Sequence, residues 1–208
     1  MEQLFLNLSC RNPLTLPSCT LLILVSRAQG IKYWPVLGNH AAAPVNQFGG
    51  PGQDSWINGP LAEQWGAFLG GDARVTLAWG GYYTAVMDAG VHVVALQTNF
   101  YDDANLFLKW GVGHWDMAGQ LHWMDAVLEQ IQDMGEKAVI LCHEKPKSFT
   151  NGIWAIKFQE ILEKYSENII AILAGHNHND MTHVVHTRKS FMPTFRGNNE
   201  ISESVLEQ

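Results

Sequence analysis

The tetrapeptide Gly175-His176-Asn177-His178, placed directly after the apolar run Ile169-Ile170-Ala171-Ile172-Leu173-Ala174, constrains this chain more than any other feature. A short apolar run rich in isoleucine reads as a buried strand. Two imidazoles spaced by one residue then fall in the loop at its C-terminal end, where a rigid sheet can fix several ligands at once. Imidazole is also the commonest metal-binding side chain. A lone His-x-His pair is nonetheless a frequent chance feature of surface loops, so its meaning depends on what other strand ends carry.

Two more strand-like runs end in metal-ligand types. Tyr33-Trp34-Pro35-Val36-Leu37 reads as a short strand entering the turn Gly38-Asn39-His40, and Lys137 to Cys142 reads as a strand ending at His143. Between and after them, Leu121, Met124, Leu128 and Ile131 recur at helical spacing and predict an amphipathic helix over 119–134. Trp154, Phe158, Ile161, Leu162 and Tyr165 predict a second over about 154–165. Val91 to Thr98 reads as a strand, as does Arg74 to Val86 with a break at Gly80-Gly81. Leu61 to Leu69 is expected to be a short helix after a Gly-, Pro- and Asn-rich loop over 41–60, which is long for a mere connection. From Thr187 to Gln208 no period is visible; this tail is expected to fray, with Phe191 to Phe195 docking locally. Strand, helix, strand, helix, strand predicts an α/β fold, a layered α/β sandwich with central β-sheets flanked by helices and the site at the strand ends.

Composition excludes some functions. With 13 Lys+Arg against 20 Asp+Glu, the net charge is −7 and no basic block follows a phosphate backbone, so nucleic acid is not the expected partner. The length of 208 residues and the 47% hydrophobic content suit one domain with a full core, or part of a larger one. Cys10, Cys19 and Cys142 show no C-x-x-C spacing and leave the redox compartment open. The stretch from Leu14 to Val25 is too short and interrupted to span a bilayer, which takes about 20 apolar residues. It resembles a signal-peptide core, with Ser26 and Ala28 before Gln29, although Glu2 and a single Arg11 make a poor positively charged start. Asn7-Leu8-Ser9 is a glycosylation sequon if the first residues are retained in the secretory pathway. No basic amphipathic helix is visible, so any membrane contact is expected to be peripheral.

The ordered series Gly38-Asn39-His40, Cys142-His143 and Gly175-His176-Asn177-His178 resembles the strand-end signatures of the calcineurin-like metallophosphoesterases, GNH, GH and GHxH. Within that superfamily the chain is most similar to the acid sphingomyelinase and sphingomyelinase-like phosphodiesterase branch. The supporting stretches are Pro35-Val36-Leu37-Gly38-Asn39-His40, Pro44-Val45-Asn46-Gln47-Phe48, Gly80-Gly81-Tyr82-Tyr83, Leu96-Gln97-Thr98-Asn99-Phe100 and Ala118-Gly119-Gln120-Leu121-His122-Trp123. They run in order from about 31 to 186.

The resemblance implies a phosphodiesterase using two zinc ions about 3.5–4 Å apart to activate a water. Its substrate would be a phosphodiester, sphingomyelin or nucleotide-like, with a phospholipid head group among the partners, and its location secreted or lysosomal. Carried over by position, Asn39, His143 and His176 would hold one metal and His178 the other, while His40 would stand beside the leaving-group oxygen. The expected organisation is an atypical segment over 1-30, signal-like or an artefact of gene assignment, an incomplete metallophosphoesterase domain over 31-186, and a C-terminal tail over 187-208.

The chain also departs from the pattern. The superfamily's D-x-H pair and G-D segment, which supply the bridging aspartate, have no counterpart in residues 1–38, where there is no aspartate or histidine. Ala41 stands where an acidic residue follows GNH, Cys142 replaces the glycine before the middle histidine, and Glu144-Lys145-Pro146-Lys147 replaces a Pro-Pro-Gly run. These changes admit an alternative expectation: an impaired enzyme or fragment that binds one zinc, none, or a phosphate group.

Overall fold

The computed structural model describes residues 3–4, 7–8, 32–110, 115–145, 152–177, 182–186 and 191–196. Its backbone is an open mixed sheet with helices packed on it. The N-terminal part supplies four two-residue strands, β1 (Gln3–Leu4), β2 (Asn7–Leu8), β3 (Lys32–Tyr33) and β4 (Val36–Leu37). β1 pairs in parallel with β3, and β2 with β4. The strand expected over 33–37 is therefore divided in two around Trp34 and Pro35, because proline lacks the N–H that a ladder would use.

A pair of helices follows, α1 (Ser55–Leu69) and α2 (Gly71–Gly80). Both correct the sequence expectation. α1 begins well before Leu61 and contains Pro60, shortening the loop expected over 41–60. Burial of Ile57, Leu61, Ala62 and Trp65 along one face offsets the missing N–H of that proline. α2 occupies most of a segment expected as strand. Arg74-Val75-Thr76-Leu77 has strand-like composition, but the buried positions are Ala73, Leu77 and Gly80, a helical spacing. Gly81 ends α2 in the left-handed region at φ 74°, a conformation in which glycine carries no Cβ penalty.

The main sheet then forms from β5 (Tyr83–Asp88), β6 (Val91–Ala95), β7 (Lys137–Cys142), β8 (Ile169–Ala174), β9 (Thr182–His186) and β10 (Phe191–Arg196). The strand order is β5-β6-β7-β8-β10-β9. β6, β7, β8 and β10 run parallel, while β5 and β9 are antiparallel to their neighbours. Between the strands lie α3 (Leu106–Lys109), α4 (Gln120–Asp133) and α5 (Gly152–Lys164). α4 and α5 agree with the expected amphipathic helices. Leu121, Met124, Leu128 and Ile131 of α4 are buried, as are Trp154, Phe158 and Leu162 of α5. Each such large side chain contributes roughly 1.5–3 kcal/mol by leaving water.

The sheet continues past residue 186: Phe191–Arg196, in the tail expected to fray apart from local docking of Phe191 to Phe195, forms β10, inserted between β8 and β9. Aromatic and β-branched residues there satisfy a strand, and Pro193 breaks the local period that would have revealed it. Among the described residues, no helix is long and apolar enough to cross a membrane.

Candidate metal centre

Three neighbouring parallel strands, β6, β7 and β8, end at the same edge of the sheet, and β4 packs against β7 from outside it. In an open α/β sheet this edge is where ligands bind. β4 runs into a 3-10 turn at Asn39–Ala41, β7 into His143 and Glu144, and β8 into Gly175 and His176. Backbone bonds tie these loops together: Gly175 N–H donates to His143 O at 3.0 Å, and Glu144 N–H donates to Thr98 Oγ1 at 2.8 Å.

The expected ligands Asn39, His143 and His176 converge. His143 Nε2 is 2.8 Å from Asn39 Oδ1 and 3.2 Å from His176 Nδ1. Asn39 Nδ2 donates to Asn46 Oδ1 at 2.7 Å, which turns its carbonyl oxygen toward the histidines. His143 and Asn39 are buried, and His176 is partly buried. A tetrahedral zinc with ligands at 2.0–2.2 Å separates its donor atoms by roughly 3.3–3.5 Å. The 3.2 Å between the two imidazole nitrogens is close to that edge, whereas the 2.8 Å to Asn39 Oδ1 is a hydrogen-bond length and would open slightly around an ion; one amide oxygen and two imidazole nitrogens are donor types that zinc accepts.

His176 has φ 75°, in the left-handed region that side chains with a Cβ enter at a cost of about 1–2 kcal/mol. His40 lies on the same 3-10 turn as Asn39 and is partly buried. His178 lies outside the described residues.

Two carboxylates at this edge were not expected as ligands. Glu144 Oε1 is 2.9 Å from His176 Nε2, so the two ring nitrogens of His176 face different partners. Asp102 closes the 3-10 turn Thr98–Tyr101 after β6. Single donor atoms of Asp102, Glu144 and His176 lie within 4.8 Å of one another, and this group could hold a metal ion. Burial pushes the Asp102 carboxyl above the usual aspartate value of 3.8; the charge of Glu144 adds to the shift, while the Ala104 N–H and His176 oppose it. A signal for Glu144 was present in sequence, as a carboxylate directly after a strand-end histidine. Asp102 left none, because it follows β6 only after an intervening turn.

Cys142, which precedes His143, is buried, with Sγ 3.7 Å from Leu173 O. That contact faces the neighbouring strand and is consistent with a packed thiol.

No family model matches the chain. It is 33% identical over 164 residues to sphingomyelin phosphodiesterase B of Dictyostelium discoideum, covering 76% of this chain and 25% of that protein. It is 32% identical over 167 residues to the sphingomyelin phosphodiesterase of Bos taurus, covering 77% and 26%. A cyclic GMP-AMP phosphodiesterase of Bos taurus is 30% identical over 169 residues, covering 76% and 36%. The chain thus spans about a quarter to a third of the length of these curated relatives.

Proposed function

This chain belongs to the acid sphingomyelinase-like branch of the metallophosphoesterases, a family of phosphoric diester hydrolases, and we propose that it acts on a phosphodiester with the help of a bound zinc. The observation that carries this reading is the convergence of Asn39 Oδ1, His143 Nε2 and His176 Nδ1 from three separate strand ends. A zinc held there would polarise a phosphoryl oxygen and lower the pKa of a nearby water. Asn46 fixes the Asn39 amide, and Glu144 fixes the ring of His176. Such outer partners hold ligands in register. His40, next to Asn39 on the same turn, would donate a proton to the departing oxygen or stabilise its developing charge. The relatives' names include both sphingomyelin and cyclic GMP-AMP, so the proposed substrate class is the phosphodiester shared by lipid head groups and nucleotides. We further infer a secreted or lysosomal location.

A second reading has its own support. Residues 1–38 contain no aspartate or histidine, so no counterpart of the family's bridging carboxylate is present there. A chain holding zinc on Asn39, His143 and His176 alone would bind a phosphate group without turning it over. Turnover of bis-p-nitrophenyl phosphate by the purified, zinc-loaded chain separates the two. Turnover that disappears in His178→Ala and His40→Ala supports the hydrolase, and its absence from protein containing stoichiometric zinc supports the binder.

A further inference from the structure

We propose that Asn99 is a positioning residue for the metal ligand Asn39, as part of a clamp that the segment 97–106 closes on the chain at both sides of that ligand. The inference rests on the zinc reading of Asn39, His143 and His176, to which this segment gives no ligand. Upstream, Asn99 Nδ2 donates to Leu37 O at 2.8 Å and to Gln97 Oε1 at 2.5 Å. Leu37 is the last residue of β4, two positions before Asn39. Downstream, Asn105 Nδ2 donates to Phe48 O at 2.8 Å. Gln47 meets the same segment twice: its Nε2 donates to Ala104 O at 3.1 Å, and its Oε1 accepts from Leu106 N–H at 3.0 Å. Gln47 and Phe48 directly follow Asn46, whose N–H donates to Asn39 O at 3.0 Å and whose side chain holds the Asn39 amide.

The clamp is itself fixed to the core. Gln120 Oε1, at the start of α4, accepts from Gln97 N–H at 2.6 Å, and Asn105 Nδ2 also reaches Phe100 O at 3.2 Å. Gln97, Asn99, Asn105 and Gln120 are all fully buried, where a deleted donor leaves its acceptor without bulk water to replace it. β4 needs such support, because it has two residues and pairs with a strand of two. The same segment serves a second ligand loop, since Thr98 Oγ1 accepts from Glu144 N–H, next to His143. Side chains spaced along one segment thus keep the loops of Asn39 and His143 in common register, as outer partners do around a metal. This accounts for the stretches 44–48, 96–100 and 118–123, which stand out in the sequence yet supply no zinc ligand: each contributes a member of the network.

Asn99→Ala in the full chain tests the proposal, with Ile131→Ala as a control for a weakened core. Ile131 is buried and its carbonyl accepts from Glu136 N–H, at the end of β7 opposite to His143. Asn99→Ala should weaken zinc at least about tenfold in chelator competition and change the visible spectrum of the cobalt-substituted chain. Ile131→Ala should lower stability and leave both readings as they are. Unchanged zinc affinity and cobalt spectrum in Asn99→Ala overturn the proposal, as does an equal loss in Ile131→Ala. A further readout needs no metal: in nitrogen-15 NMR of the metal-free chain, the Asn39 side-chain amide should shift in Asn99→Ala and stay in place in Ile131→Ala. An unaltered chain that binds no zinc therefore counts against the zinc centre, whereas an unmoved Asn39 amide counts against the clamp. Should Asn99→Ala fail to fold, Gln47→Ala decides, since Gln47 is only partly buried. It should weaken zinc by a smaller factor and shift the same amide, and no change in either refutes the clamp.

Discussion

His143 Nε2 lies 2.8 Å from Asn39 Oδ1 although 104 positions separate the two residues in the chain. Contact between β4 and β7 brings them together, and His143 meets His176 through the parallel pairing of β7 with β8. His143→Ala is therefore expected to lower zinc affinity well beyond the roughly 10–100-fold cost of losing an outer partner. His183→Ala, on β9 at the end of the strand order, should leave it unchanged. Competition with a chromogenic chelator measures both, and equal effects would refute the ligand assignment.

Asn46 has φ 69° and holds the Asn39 amide at 2.7 Å. Replacing it by glycine removes the amide bond and relieves the left-handed backbone at once. Asn46→Gly should thus weaken zinc about tenfold with stability unchanged or slightly raised. Chelator competition and urea unfolding read the two effects independently. Stability falling in step with affinity would show that Asn46 acts on the fold instead of on the ligand.

Gly80 closes α2 against Tyr82 and Ala118. A Cβ there would lie 2.4 Å from Tyr82 Cε1 and 2.7 Å from Ala118 Cβ. The Tyr82 ring cannot retreat freely, because it packs on Trp123 and its hydroxyl donates to Ala118 O at 2.9 Å. Gly80→Ala should cost about 1–3 kcal/mol despite the better helix propensity of alanine. A neutral result in urea unfolding would mean that the ring yields.

Tyr82 also predicts an alkaline transition. Burial, with a smaller contribution from the charge of Asp116, pushes its phenol from 10.0 up to about 12. A folded-state value above the unfolded one means that this group's stabilising effect is complete below pH 10 and is lost as the pH rises through about 12. In Tyr82→Phe the fall of stability across that window should be shallower, and ultraviolet titration should lose one phenolate from the steps above pH 10, where buried Tyr83 and Tyr101 also ionise late. An unchanged titration would assign that step to another tyrosine.

The sequence made Asn39, His143 and His176 readable because each closes an apolar run, and apolar runs are the most dependable sign of a strand end. α4 was readable for the same reason, since Leu121, Met124, Leu128 and Ile131 mark one helical face. α2 was not, because Val75, Thr76 and Trp79 favour strands in isolation and only the burial of Ala73 and Leu77 against neighbouring elements decides for helix. Asp102 belongs to the site through a turn whose path no local pattern specifies. The left-handed backbone of His176 is likewise set by tertiary contacts, since a histidine does not announce a positive φ as glycine does.

β10 bears on how this protein comes into being. Thr194, Phe195 and Arg196 pair with Ile172, Leu173 and Ala174, the residues that lead directly into Gly175 and His176. As the chain leaves the ribosome, the strand carrying the histidine loop has an open edge until that later segment arrives. A nascent chain halted before β10 would display an unpaired edge suited to aggregation.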